Sequence, residues 1–221
     1  MNVVFRLDAS KNIGMGHLSR CRNLAFFLDK KGAKIDFVLR NLDRGFKNFL
    51  NHKKYKLNYL PNNRIFNKTL NSDSEKLWPR LLQKIDAQET KKFLSKKKIE
   101  WLIVDHYGLN YRWEKDLNNN VKNIMVIDDH LNREHFCNLF LNQNFTKSST
   151  SFSNKYLPKK CKLLLGPKYS LLDKNYSDLR KKIKIKNNKK IKNILVTFGG
   201  TNMKNLISKI ISVFNCKELC K

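Results

Sequence analysis

Short apolar runs alternate with longer amphipathic stretches along this chain, and that alternation limits its fold more than any other property. Strand-length runs fall at Val3–Leu7, Lys34–Leu39, Tyr55–Leu60, Glu100–Asp105, Asn123–Asp128, Cys137–Leu141 and Lys162–Leu165. Helical spacing between them predicts helices over Leu18–Lys31, Arg44–Asn51, Ser74–Lys97 and Tyr111–Leu117. The third carries Leu77, Leu81, Leu82, Ile85, Phe93 and Leu94 on one face. Strands alternating with helices build right-handed βαβ units on a parallel sheet, the α/β class. Leu102-Ile103-Val104 suits a central strand covered on both faces.

After Tyr176 the composition changes. The segment from Lys181 to Lys190 is dominated by lysine and asparagine and reads as an extended, exposed linker, since like charges repel. A fresh unit follows, with a strand over Asn193–Phe198, the turn Gly199-Gly200-Thr201 and a helix over Met203–Phe214. The expected organisation is an N-terminal Rossmann-like domain over 1–178, a basic linker over 179–191 and the start of a second Rossmann-like domain over 192–221. One strand and one helix cannot bury their apolar faces alone, so the second domain is expected to be incomplete.

The formal net charge of +28 invites a nucleic-acid or anionic-membrane reading. Of the 46 basic residues only ten are Arg, whereas base and phosphate readout favours Arg. The lysines are also spread along the chain, and asparagine is abundant, as in a genome that drifts toward A-rich codons. Nucleic-acid binding is therefore disfavoured. No stretch approaches the roughly 20 apolar residues of a membrane span, and no signal-peptide pattern opens the chain, so a cytoplasmic location is expected. The five cysteines, Cys21, Cys137, Cys161, Cys216 and Cys220, form no C-x-x-C pair and are expected to be reduced and structural.

The residues suited to chemistry gather at the carboxyl ends of predicted strands, where open α/β sheets bind ligands. Arg6 and Asp8 leave the first strand, followed by Ile13-Gly14-Met15-Gly16-His17 before a helix predicted from Leu18. Glycines let a backbone approach a ligand, a helix N-terminus receives anions, and histidine moves protons near neutral pH. The same segment also reads as a helix-capping turn with an incidental histidine. Asp105-His106-Tyr107-Gly108 follows the central strand, as functional loop or as turn. Asp128-Asp129-His130 ends the next strand and suits a metal, a sugar hydroxyl or a helix cap. Too few ligands converge for a metal site, so no metal is expected. The first turn lacks the third glycine of a dinucleotide fingerprint, and no Walker loop or nucleophile elbow occurs, so no cofactor is expected.

Taken together, Phe5-Arg6-Leu7-Asp8-Ala9-Ser10, Ile13-Gly14-Met15-Gly16-His17, Arg20-Cys21, Leu24-Ala25, Asp86-Ala87-Gln88-Glu89-Thr90, the segment Trp101 to Gly108, Ile127-Asp128-Asp129, Leu141-Asn142-Gln143-Asn144, the segment Leu165 to Leu172 and Phe198-Gly199-Gly200-Thr201 resemble the UDP-sugar hydrolase family of pseudaminic acid biosynthesis. The resemblance implies a glycosyltransferase-B-type fold of two Rossmann-like domains, with water as acceptor. It implies release of a 2,4-diacetamido-2,4,6-trideoxyhexose from UDP by C–O cleavage with inversion. The family's acid/base histidine falls on His17. Substrate contacts are implied at Arg6, Asp8, Gly14, Gly16, Asp105, His106, Tyr107, Gly108, Asp129 and Asn142, and diphosphate contacts at Gly199, Gly200 and Thr201. The chain departs from the family at Asp173, where Arg is usual, and at Asn202, where Asp is common. The family's second domain runs on for about one more small domain, which holds most of the uridine site. A second polypeptide that completes it is an implied partner, and weak activity of this chain alone is expected. A glycosyltransferase of the same fold, a basic nucleic-acid-binding protein and a non-catalytic remnant remain the alternatives.

Overall fold

The computed structural model describes residues 1–50, 53–62, 65–66, 76–144, 155–183, 194–197 and 204–214. Seven strands make one sheet: β1 (Asn2–Leu7), β2 (Lys34–Leu39), β3 (Lys56–Tyr59), β4 (Ile99–Asp105), β5 (Val121–Ile127), β6 (Leu139–Asn142) and β7 (Lys162–Leu165). All pairings are parallel, in the order β3-β2-β1-β4-β5-β6-β7. The order runs outward from β1 in both directions, so the topological switch point lies between β1 and β4, where a Rossmann-like sheet opens a crevice.

Alternation along β1 assigns its two faces. Val3, Phe5 and Leu7 pack with Leu18, Cys21 and Ala25 of α1 (Gly16–Lys30). Val4 packs on the opposite face with Leu82, Ala87 and Leu94 of α2 (Arg80–Leu94) and Trp113 and Leu117 of α3 (Tyr111–Leu117). Central strands buried on both sides explain the near-continuous apolar runs of β4 and β5. The register Phe5↔Ile103 and Leu7↔Asp105 brings the ends of β1 and β4 level, at the edge where α1 begins.

Several local expectations are corrected. The helix α1 starts at Gly16, two residues before Leu18, so His17 lies inside its first turn. The helix expected at Arg44–Asn51 is a 3-10 turn over Arg44–Phe46, because the chain forms i→i+3 bonds such as Phe46 N–H to the Asp43 carbonyl, 2.9 Å. The long helix spans Arg80–Leu94 rather than Ser74–Lys97. Pro79 occupies its N-cap with ψ 148°, which ends helical geometry there. Leu77 and Leu81, placed on its buried face by spacing alone, are exposed.

Residues 1–176 and 177–221 form two compact units. The helix α4 (Lys174–Lys182) runs into the segment expected to be linker. Residues 194–197 carry no strand, in contrast to the expectation over Asn193–Phe198, whose end residues Asn193 and Phe198 lie outside the described residues. The helix α5 (Lys204–Phe214) forms where a helix over Met203–Phe214 was expected. Gly199, Gly200 and Thr201 lie outside the described residues. Among the described residues no helix is long and apolar enough to cross a membrane.

Candidate active site

Helical spacing puts His17, Arg20 and Cys21 on one side of α1, and all three reach the carboxylate of Asp105 at the end of β4. Arg20 grips it with two prongs, Nε to Oδ2 and Nη2 to Oδ1, both 2.6 Å. The Cys21 thiol donates to Oδ2 at 3.4 Å, and the His17 Nδ1 makes a short bond to Oδ1. Burial alone would raise the Asp105 pKa, but Arg20 and His17 outweigh it and hold the group well below the usual carboxylate range. Asp105 is therefore an ionised acceptor, to which His17 Nδ1 donates. Among the described residues Nε2 has no hydrogen-bond partner. Burial, joined by the charge of Asp105, pushes the Cys21 thiol well above its ordinary pKa, so this cysteine is inert.

The array extends outward. The third prong of Arg20, Nη1, meets Asp129 Oδ2 at 2.5 Å, and the Tyr107 hydroxyl donates to the same oxygen at 2.6 Å. Burial, then this donation, raises the Tyr107 pKa, so the phenol keeps its proton. The Tyr107 ring stands edge-on to His17 at 4.5 Å and to His130 at 4.7 Å. Arg133 donates to the Tyr107 carbonyl and reaches Asp128 at 3.3 Å, which fixes the loop after β5. The loop that delivers His17 turns at Gly14, whose φ of 84° favours glycine. At Gly16 a Cβ would meet nothing within 4 Å. The N-cap residue Met15 makes no side-chain cap bond, and the first turn carries no acid, so the leading N–H groups of α1 suit an anion.

A second array lies beside the first. Arg6 is on the Val4 face of β1 and binds Asp86 of α2 at 2.7 Å and Asp8 at 2.8 Å. Arg40 closes on Asp86 at 2.8 Å and on Glu89 at 2.5 Å, and the Trp113 Nε1 donates to Asp86 at 2.8 Å. His106 uses both nitrogens: Nδ1 accepts the Gly108 N–H at 2.9 Å and Nε2 donates to Asp8 at 3.1 Å. Burial lowers the His106 pKa, in keeping with a neutral ring.

The expected site residues thus divide. His17, Asp105, Tyr107 and Asp129 converge with Arg20. Arg6 and Asp8 are fully buried in the second array, where they pair with each other and with Asp86 and His106. Gly108 faces the Trp78 indole, which stands 2.6 Å from where a Cβ would be, so its missing side chain serves that packing. Asn142 is also fully buried. Its Oδ1 accepts the Asn144 N–H, and its Nδ2 has no partner among the described residues. Arg20, Asp86 and Arg40 were absent from the expected site. Leu82, Asp86, Thr90 and Leu94 recur every four residues along α2, and a charge in such a stripe signals a buried partner. Among the described residues no group of three or more His, Cys, Asp or Glu is arranged to hold a metal ion.

No protein-family model matches the chain. It is similar to the UDP-2,4-diacetamido-2,4,6-trideoxy-beta-L-altropyranose hydrolase of Campylobacter jejuni, with 28% identity over 214 residues. The similarity covers 96% of this chain and 65% of that protein, so the chain spans just under two thirds of its relative's length. That identity marks a distant relationship.

Proposed function

We propose that this chain supplies the catalytic half of a UDP-sugar hydrolase that releases a 2,4-diacetamido-2,4,6-trideoxyhexose, in the pseudaminic acid route. The observation that carries the reading is the His17–Asp105 pair at the switch point of the sheet, with Nε2 of His17 unengaged among the described residues. The named activity of the distant relative supports the substrate class.

In this mechanism His17 Nε2 takes a proton from a water molecule as its oxygen attacks the anomeric carbon. The C–O bond to UDP breaks, and attack from the opposite face inverts the configuration. Asp105 orients the imidazole and stabilises the imidazolium that forms, while Arg20 keeps that carboxylate ionised. The uncapped N-terminus of α1 favours the negative charge that develops on the leaving diphosphate. Gly199, Gly200 and Thr201 are proposed to add diphosphate contacts. A glycosyltransferase-B-like arrangement, with a nucleotide half from further residues or a second polypeptide, completes the proposal.

The test is turnover of the UDP-sugar without any acceptor, followed by proton NMR of the first sugar anomer released. Free sugar of inverted configuration and UDP in equal amounts are expected, and His17→Ala should lower the rate by roughly 10²–10⁴-fold, the range for loss of a general base. Equal rates above the uncatalysed background in both forms would remove His17 from the mechanism. Release only when an acceptor is added would turn the reading into a transferase.

A further inference from the structure

Two cysteines that the mechanism does not use meet at the opposite edge of the sheet. Cys137 lies two residues before β6, and Cys161 immediately precedes β7. The two strands are paired in parallel, with Leu139 opposite Lys162, so both thiols fall at the amino ends of the strands. Their sulfurs are 3.6 Å apart. The backbone holds them there: the Lys162 N–H donates to the Asn138 carbonyl at 2.9 Å, and the Cys161 N–H to the Pro158 carbonyl at 2.8 Å. Cys137 is buried in the core between the sheet, α2 and α3, whereas Cys161 is partly exposed.

We propose that Cys137 and Cys161 form a redox-responsive pair, in which Cys161 is oxidised by hydrogen peroxide and Cys137 resolves it to an intramolecular disulfide. The Cys161 thiolate attacks one peroxide oxygen. The O–O bond breaks, and the departing hydroxide combines with the proton that Cys161 lost, giving water and a sulfenic acid. The Cys137 sulfur then attacks the Cys161 sulfur. An S–S bond forms, the S–O bond breaks, and hydroxide leaves as water with the Cys137 proton. Two thiols lose two electrons in total, and one peroxide becomes two waters.

The surroundings suit that division of roles. The two thiols share a hydrogen bond in which either sulfur can donate. That bond lowers the pKa of the Cys161 thiol; partial burial opposes this, the nearby His135 cation supports it and Glu114 opposes it. The same bond and burial raise the Cys137 thiol. An accessible thiol with thiolate character beside a buried resolving thiol is the arrangement that favours a disulfide over further oxidation. Cys21 offers no competition, being fully buried under Asp105.

The full chain is treated with graded hydrogen peroxide, alkylated, digested without reduction and analysed by mass spectrometry. The expected first product is a peptide pair linked through Cys137 and Cys161, two hydrogens lighter than the thiol form and reversed by dithiothreitol. In Cys137→Ser, Cys161 should instead accumulate as a dimedone-trapped sulfenic acid. The proposal is overturned if Cys161 stays alkylatable while Cys216 or Cys220 oxidises, or if Cys161 links to either of those. The wild-type digest decides this even where Cys137→Ser fails to fold.

Discussion

Two arrays of arginine, carboxylate and histidine stand side by side at the carboxyl ends of the strands. In one, Arg6 and Arg40 clasp Asp86, and His106 sits between Asp8 and the Gly108 N–H. In the other, Arg20 clasps Asp105 and His17 binds it through one nitrogen. Exposure does not separate the histidines, since each side chain is 7% accessible. Partner count does. Both nitrogens of His106 are engaged, so the ring is a strut, whereas among the described residues Nε2 of His17 has no partner, and it is the atom the proposed mechanism uses as base. A histidine becomes chemical when the fold engages one nitrogen and leaves the other.

The largest effects should come from the sealed array. Asp86→Ala leaves Arg6 and Arg40 without their shared carboxylate and is expected to lower stability by about 3–5 kcal/mol, the cost of breaking a buried ion pair. Urea unfolding against Asp129→Ala, which removes a partly exposed acid at about 1 kcal/mol, measures the contrast. Equal shifts would erase the distinction between sealed and open arrays.

The histidines come next. His17→Gln should cut turnover by roughly 10²–10⁴-fold with little change in unfolding midpoint, because Arg20 and Cys21 still satisfy Asp105. His106→Gln should show the reverse bias, with stability down by about 1–3 kcal/mol and the proton-transfer limb of the pH–rate profile unmoved. A loss of activity in the His106 variant without loss of stability would reverse the assignment.

A third buried histidine supplies a pH test. Burial pulls the His135 pKa down, but Glu114 and Asp128, bonded at 2.7 and 3.0 Å, outweigh it and raise the value from its ordinary 6.5 to about 9. The folded value lies above the unfolded one, so the stabilisation is complete below about pH 6.5 and is lost as pH rises through about 9. At 1.36 kcal/mol per pKa unit this amounts to about 3 kcal/mol. Urea midpoints across that window should fall in the wild type and flatten in His135→Gln. An unchanged slope in the variant would reassign the effect.

The smallest effects separate the glycines. Gly108→Ala drives a methyl into the Trp78 indole and is expected to destabilise by about 1–3 kcal/mol. Gly16→Ala meets open space within a helix and should not destabilise, since alanine is favoured there by about 0.5–1 kcal/mol. A slower UDP-sugar turnover in that stable variant is the signature of a ligand passing close to the backbone.

Strand positions were legible in the sequence because runs such as Leu102-Ile103-Val104 and Phe37-Val38-Leu39 are apolar enough to require burial. Helix ends were less so. Pro79 stopped α2 where spacing alone continued it, and Arg44–Phe46 closed as a 3-10 turn through backbone bonds that periodicity does not reveal. Of the cluster that converges on Asp105 and Asp129, His17, Asp105 and Tyr107 stood out by their places after apolar strands. Arg6 and Asp8 read equally well as ligand contacts, and only the fold buried them against α2.

The sequence by itself determined the α/β class, the parallel sheet and the gathering of polar residues beyond the strand ends, because hydrophobic periodicity is a local property. The tertiary structure decided which of those residues face each other. Arg6 meets Asp86 across 80 residues and His17 meets Asp105 across 88. Those pairings follow from the order in which strands lie in the sheet and the face on which each helix returns. That order separates an arginine held by carboxylates in the core from a histidine left with one nitrogen to use.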